Sequence, residues 1–168
     1  MDNSDWYNHI DLLRTKIKKN ISKKELSETL KKNIISSIPK EPFGILLSGG
    51  VDSTLIAKIC KDHGADFRCF CVGTKGSVDV KGAKIAADEL DLDLKLKEYE
   101  LDEIEDLLVK TINILPIPKI QNDNYIEYMV KVSVSAVLLA AISLGDEKIF
   151  LSGIGAEELF AGYHRHTL

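Results

Sequence analysis

Short apolar runs alternate with segments of helical spacing from residue 43 onward. The run FGILL at 43–47 is followed by helical spacing over 53–62, which Gly64 closes. The succession then repeats, with strands FRCFCV, LDLKLKEY and KIFL, helices beginning at Asp79 and Asp102, and a long helix over 125–144. This order predicts an α/β fold, a doubly wound parallel sheet with helices on both faces in three layers.

The first 40 residues have a different pattern. Apolar residues at helical spacing predict one helix over 5–17, and Ser22 with Glu25 forms a capping-box pattern that opens a second helix ending before Pro39. We therefore expect residues 1–40 to be a helical segment that packs on a domain formed by residues 41–168.

Composition restricts the class of protein. Hydrophobic residues make up 45% of the 168 residues and charged residues 29%, and no apolar run approaches the ~20 residues of a bilayer span. The amino-terminal residues carry acidic side chains and no apolar core of a signal peptide, so we expect no membrane association and a cytoplasmic protein. Three cysteines without a CxxC pair argue against disulfides and zinc, and a net charge of −4 argues against nucleic acid.

Two strand exits carry polar and glycine-rich loops. LSGGVDS follows the first strand and LSGIGAEELFAGY follows the last. Doubly wound sheets bind ligands at the carboxyl ends of their strands, where the strand order reverses. We therefore expect the chemistry at these two loops.

The residues of SGGVDS are suited to a phosphate group. Gly49 and Gly50 can adopt positive φ and turn successive N–H groups inward, while Ser48 and Ser53 add hydroxyl donors at a helix N-terminus. Asp52 beside an anion indicates a bridging Mg²⁺. No Walker A pattern is present. The alternative is a plain Gly-Gly turn between strand and helix, which the acid and hydroxyls make less favourable than a phosphate cradle.

SGGVDS resembles the signature of the PP-loop ATP pyrophosphatases, which have the adenine nucleotide alpha hydrolase-like fold. The longer stretch EPFGILLSGGVDSTLIAKI is most similar to the synthetase domain of asparagine synthetases and β-lactam synthetases, and KIFLSGIGAEELFAGYHR resembles the same family's segment on its fourth strand. The resemblance covers residues 41–165. It implies ATP cleavage to AMP and pyrophosphate, adenylation of an aspartate-like carboxylate, and amide formation with ammonia or an amine.

The resemblance also assigns site residues by position. Pyrophosphate and Mg²⁺ would be held by Ser48, Gly49, Gly50, Asp52 and Ser53. The adenosine slot would be lined by Leu46, Val72, Ser152 and Gly153. Glu157 stands where the family has an aspartate that shares the metal, so Asp52 and Glu157 are the expected catalytic and metal-binding acids.

Two departures keep other functions open. Ile154 stands where asparagine synthetases usually have Glu or Asp, and the resemblance covers neither the family's glutaminase domain nor its helical C-terminal part. A glutaminase, a C-terminal partner chain or a homo-oligomer could complete the site. The alternatives are a catalytically reduced ATP-binding module, which Ile154 favours, and a PP-loop enzyme that modifies RNA.

Overall fold

The computed structural model describes residues 11–12, 15, 21–116 and 124–160, without the side chains of residues 124 and 158. The chain divides into two compact units, Met1–Ser36 and Ser37–Leu168. Nearly all of the helix predicted over 5–17 lies outside the described residues. The packing of residues 1–40 on the domain stays a prediction.

Helix α1, Lys23–Ser36, is the helix that the capping-box pattern predicts. The Ser22 hydroxyl accepts a hydrogen bond from the Glu25 N–H at 3.1 Å, which supplies a partner for a donor that helix geometry leaves free. None of its residues is buried. Its apolar side chains therefore contribute little to a core.

The second unit alternates strands and helices as the pattern predicts. Its elements are β1 Phe43–Leu46, α2 Val51–Asp62, β2 Phe67–Thr74, α3 Val78–Glu89, β3 Leu94–Tyr99, α4 Leu101–Ile114, α5 Asn124–Ile142, β4 Phe150–Leu151 and α6 Ala156–Phe160. All strand pairs are parallel, in the order β3-β2-β1-β4. The chain moves outward from β1 to β3 and then returns to the other side of β1. The α/β fold is confirmed, and the strand order reverses at β1.

Strand β1 is central and its apolar residues are buried. Phe43, Ile45 and the following Leu47 are each at most 1% exposed, which explains a continuous apolar run in place of alternation. Gly44 is required by the neighbouring strand, because a Cβ there would lie 2.3 Å from the Phe150 ring. The glycine therefore lets β4 pack beside β1.

The three cysteines behave as small buried hydrophobes, as expected from their spacing. All are free and buried. Burial raises the pKa of Cys60 and of Cys71 to about 11 and that of Cys69 to about 12. These thiols are therefore protonated at neutral pH.

Three helices begin elsewhere than predicted. α2 begins at Val51, ahead of Ser53, because Gly50 serves as its N-cap. α3 is capped by Ser77, whose hydroxyl accepts from the Val80 N–H, so the assignment of Asp79 as the cap is wrong. α4 begins at Leu101, after its N-cap Glu100. In each case the cap lies two or three residues before the predicted start, and caps are set by local hydrogen bonds that apolar spacing does not report.

By length and composition alone, Tyr125–Ile142 within α5 could cross a membrane. No apolar run of this length was expected from the sequence, and this segment does contain two charged residues, Glu127 and Lys131. Core helices pass the same criterion, and Val132, Ala136 and Ala140 are buried in this domain. Only 22% of the apolar stretch is buried, however, so much of this helix is accessible.

Candidate functional site

The loop between β1 and α2 is closed by a serine pair. Ser53 is buried, with 4% of the residue exposed. Its hydroxyl accepts a hydrogen bond from the Ser48 N–H at 3.2 Å and lies 3.2 Å from the Ser48 hydroxyl. It also lies 3.3 Å from the Gly50 carbonyl oxygen, to which it donates, and the Gly50 N–H donates to the Ser48 hydroxyl. These bonds fix the path of the loop. The two hydroxyls predicted to donate to a phosphate therefore also make hydrogen bonds within the loop.

Only one of the two loop glycines has positive φ. Gly49 has φ +74°, whereas Gly50 has φ −70° and ψ 162°, so the expectation of positive φ at both is wrong for Gly50. The reason is its position, since the N-cap of a helix requires extended backbone. Gly49 is further constrained by α3, because a Cβ there would lie 2.1 Å from the Gly82 carbonyl carbon. The loop therefore packs backbone to backbone against α3.

The second loop, Ser152 to Gly155, lies against the first. The Ser152 hydroxyl accepts from the Ile154 N–H at 3.0 Å, and Gly155 has φ +96°. A Cβ on Gly153 would lie 3.0 Å from the Cβ of Asp52. The two strand exits that stood out in the sequence thus meet where the strand order reverses.

A cavity of about 430 Å³ opens at this junction, within the second unit. Its size is that of a cofactor site. Of the predicted site residues, the cavity is lined by Leu46, Ser48, Gly50, Asp52, Ser53, Val72, Ser152, Gly153 and Glu157. Gly49 is absent from the lining. The cavity therefore brings together every predicted site residue except Gly49.

Three carboxylates line the cavity, Asp52, Asp79 and Glu157, and no lysine, arginine or histidine of the described chain does. Asp79 was interpreted as a helix cap. The strand-exit rule could have identified it, because it lies in the first turn after β2, which neighbours β1. No three potential metal ligands cluster within the part of the chain that the structure describes. Two carboxylates still suit Mg²⁺, which takes few protein ligands when phosphates supply the others.

One wall of the cavity is apolar. Phe70, Cys71 and Val72 of β2 form part of it, and α5 adds Val134, Val137, Leu138 and Ala141. The contribution of α5 was missed by the sequence analysis. The spacing of apolar residues predicted the helix, but it did not indicate which of these residues line a cavity.

Ile154 also lines the cavity, with its side chain 70% exposed. An apolar side chain at this position can neither bind a cation nor move a proton. Its neighbours Gly153 and Gly155 carry no side chain. Of the described residues after β4 that line the cavity, the one with a carboxylate is Glu157.

Residues 23–168 match the sequence profile of the asparagine synthase family. The chain is 32% identical over 149 residues to a putative glutamine-hydrolysing asparagine synthetase of Methanocaldococcus jannaschii, covering 86% of this chain and 26% of the relative. It is 32% identical to a glutamine-hydrolysing asparagine synthetase of Zea mays, covering 82% and 24%. The chain therefore spans about a quarter of the length of these relatives.

Among solved structures, an NH3-dependent NAD synthetase from Campylobacter jejuni superposes with a TM-score of 0.55. The match covers 86% of this chain and 62% of that chain, at 19% sequence identity. At this identity the likeness shows a shared fold, the adenine nucleotide alpha hydrolase-like sheet.

Proposed function

The chain belongs to the asparagine synthase family, and on this premise we propose that it binds ATP with Mg²⁺ and adenylates a small carboxylate. A substrate carboxylate oxygen attacks the α-phosphorus, the α–β anhydride bond breaks, and pyrophosphate leaves. Ammonia or an amine then displaces AMP to give an amide. An aspartate-like acceptor is the substrate class that the family suggests.

The observation that carries this proposal is the meeting of the two strand-exit loops in one cavity. Gly153 of one loop lies against Asp52 of the other, so groups from both can act on one ligand. The two motifs lie far apart in the sequence. Their convergence at the reversal of strand order supports a nucleotide site over two unrelated turns.

The N-terminus of α2 supplies donors for the phosphates. Helix geometry leaves the N–H groups of Val51, Asp52 and Ser53 without intrahelical acceptors, and the helix dipole adds partial positive charge there. Negative charge grows on the bridging and terminal oxygens as the anhydride breaks. Donors already fixed in place stabilise that charge without reorganising.

The carboxylates of the cavity suit a divalent cation bound together with the phosphates. Asp52 and Glu157 are the residues that would hold Mg²⁺, which would offset phosphate charge and polarise the α–β anhydride. Without a cation in place, three carboxylates in one cavity would repel a polyphosphate. The acidic lining therefore supports metal-dependent rather than metal-free ATP binding.

The test is incubation of the purified chain with α-labelled ATP and Mg²⁺, with and without aspartate and ammonia, followed by separation of AMP from ADP. We expect AMP that depends on the acceptor and is lost in Asp52→Ala. Asp62→Ala, at the other end of the same helix, is the matched control and should retain activity. Formation of ADP in place of AMP would contradict the proposal.

A second candidate is an ATP-binding module without turnover, which Ile154 favours. This function predicts Mg²⁺-dependent ATP binding, lost in Asp52→Ala, with no AMP under any acceptor condition. Isothermal titration of ATP into wild type and into Asp52→Ala, carried out together with the labelled-ATP assay, separates the two candidate functions.

A further inference from the structure

Asp79 is a carboxylate of the cavity to which the proposed function gives no role. It lies in the first turn of α3, but the N-cap of that helix is Ser77. Among the described residues, Asp79 makes no hydrogen bond and no ion pair, and Lys84 of the same helix pairs with Glu98 at 3.5 Å. Neither a helix cap nor a salt bridge therefore accounts for this exposed carboxylate in the lining of the cavity.

Two neighbours define where the Asp79 side chain lies. Burial, and after it the negative charge of Asp79, raises the pKa of Cys71 to about 11, so the carboxylate lies close to that residue of β2. Gly82 of α3 packs against Gly49 of the loop that follows β1. Residues three apart share one face of a helix, and Asp79 therefore faces the same loop, one turn nearer the N-terminus of α3.

This position lies between the two parts of the proposed ATP site. Leu46 and Val72 line the cavity where the base is expected, and the loop between β1 and α2 is the expected phosphate cradle. Ribose joins base and phosphates in ATP, so a group between the two parts meets the sugar. A carboxylate has two acceptor oxygens, which match the two neighbouring hydroxyl donors of ribose. Doubly wound folds that bind dinucleotides use an acidic residue for a ribose hydroxyl in the same way.

The Mg²⁺ ion is a less suitable ligand for Asp79 than the sugar. Asp79 follows β2 and Glu157 follows β4, and these two strands flank β1 on opposite sides. No group of three potential metal ligands exists in the described ranges, so Asp79 does not join Asp52 and Glu157 in one metal site. A neutral hydroxyl can also donate to a carboxylate without a further counter-charge.

We propose that Asp79 accepts hydrogen bonds from the ribose hydroxyls of ATP and thereby selects ribonucleotides over deoxyribonucleotides. The inference rests on the proposed function for its nucleotide, but it does not require turnover. A deoxynucleotide would leave the carboxylate against a C–H group, so the site would lose the hydrogen bond and leave a charged acceptor without a donor. This selectivity comes from the acceptor itself and should disappear when the acceptor is removed.

The test is titration calorimetry with ATP, 2′-deoxy-ATP and 3′-deoxy-ATP, in the presence of Mg²⁺ and without acceptor or ammonia. We expect wild type to bind ATP at least about tenfold more tightly than one or both deoxynucleotides. Asp79→Ala should bind all three within about twofold of one another, because no acceptor remains to distinguish them. Asp79→Asn keeps the size of the side chain and should lose part of the discrimination. Asp88→Asn, at the other end of α3, is the matched control and should keep the wild-type ratio.

The ratio of affinities separates ribose recognition from an effect on the fold, because a disturbed α3 would weaken the binding of all three nucleotides by a similar factor. Equal binding of the three by wild type would overturn the inference, as would a wild-type ratio retained in Asp79→Ala. So would a raised Mg²⁺ requirement in Asp79→Ala with the ratio unchanged, since Asp79 would then be a metal ligand. Absence of ATP binding by wild type would refute the proposed function and the inference with it, so the two failures are distinguishable.

Discussion

The contact between Gly49 and Gly82 gives the sharpest prediction for the site. Gly49 has φ +74°, and a Cβ there would lie 2.1 Å from the carbonyl carbon of Gly82 in α3. Positive φ costs an alanine roughly 1–2 kcal/mol. The overlap with backbone atoms adds about 1–3 kcal/mol, because a helix backbone cannot rotate away as a flexible side chain can. We expect Gly49→Ala to lower the free energy of unfolding by about 2–5 kcal/mol and to weaken ATP binding.

Gly64 separates the two contributions. It has φ +72°, nearly that of Gly49, but no atom would lie within 4 Å of an added Cβ. Gly64→Ala should therefore lose only the ~1–2 kcal/mol of backbone strain and leave ATP binding unchanged. The difference between the two variants measures the cost of the close approach.

Gly82→Ala should behave differently from Gly49→Ala although it changes the other side of the same contact. Its Cβ would meet the nearest atom of Gly49 at 3.4 Å, an ordinary van der Waals distance. Alanine is also favoured over glycine within a helix by about 1 kcal/mol. We expect this variant to be neutral or more stable in equilibrium urea unfolding. The reasoning is refuted if Gly49→Ala matches Gly64→Ala, or if Gly82→Ala is as damaging as Gly49→Ala.

Three further variants test other parts of the domain. Gly44→Ala should cost about 1–3 kcal/mol in urea unfolding, because its Cβ meets the Phe150 ring, and a second change of Phe150→Leu should recover part of that loss. Ser77→Ala should cost about 1 kcal/mol in the same assay through loss of the α3 cap. The hydrogen bond from the Gly76 N–H, followed by the charge of a nearby lysine, lowers the pKa of Glu98. At neutral pH, which is above the pKa of Glu98 in the unfolded chain, wild type should therefore have a higher Tm than Glu98→Gln. This difference in Tm should vanish as the pH falls through the lowered pKa of Glu98 in the folded protein.

The fold could be predicted because its central features are local in sequence. A buried parallel strand such as β1 appears as an unbroken apolar run, and Gly64 ends α2 where the pattern places it. Helix starts were predicted less accurately. They are set by the N-cap residues Ser77 and Glu100, whose capping role the spacing of apolar residues does not encode. These errors moved the helix starts by one or two residues and left the topology unchanged.

The site was only partly predictable because its walls come from distant segments. Asp79 and two valines of α5 line the cavity, but in the sequence each is equally well explained as an ordinary helix residue. The constraint on Gly49 likewise comes from Gly82, far along the chain. Motif spacing identifies groups within one loop. It does not report which other elements the fold brings against that loop.

Ile154 affects ATP binding and amide formation differently. The groups proposed to hold the phosphates are mainly backbone N–H donors and Asp52, and none of them depends on the side chain at position 154. An isoleucine there can therefore leave nucleotide binding intact while removing a group that could move a proton during amide formation. Adenylation needs no such proton transfer, because the attacking carboxylate is already ionised at neutral pH. A chain of this kind would release pyrophosphate and form the acyl-adenylate, whereas release of AMP in the second step would depend on another base or on the amine arriving unprotonated.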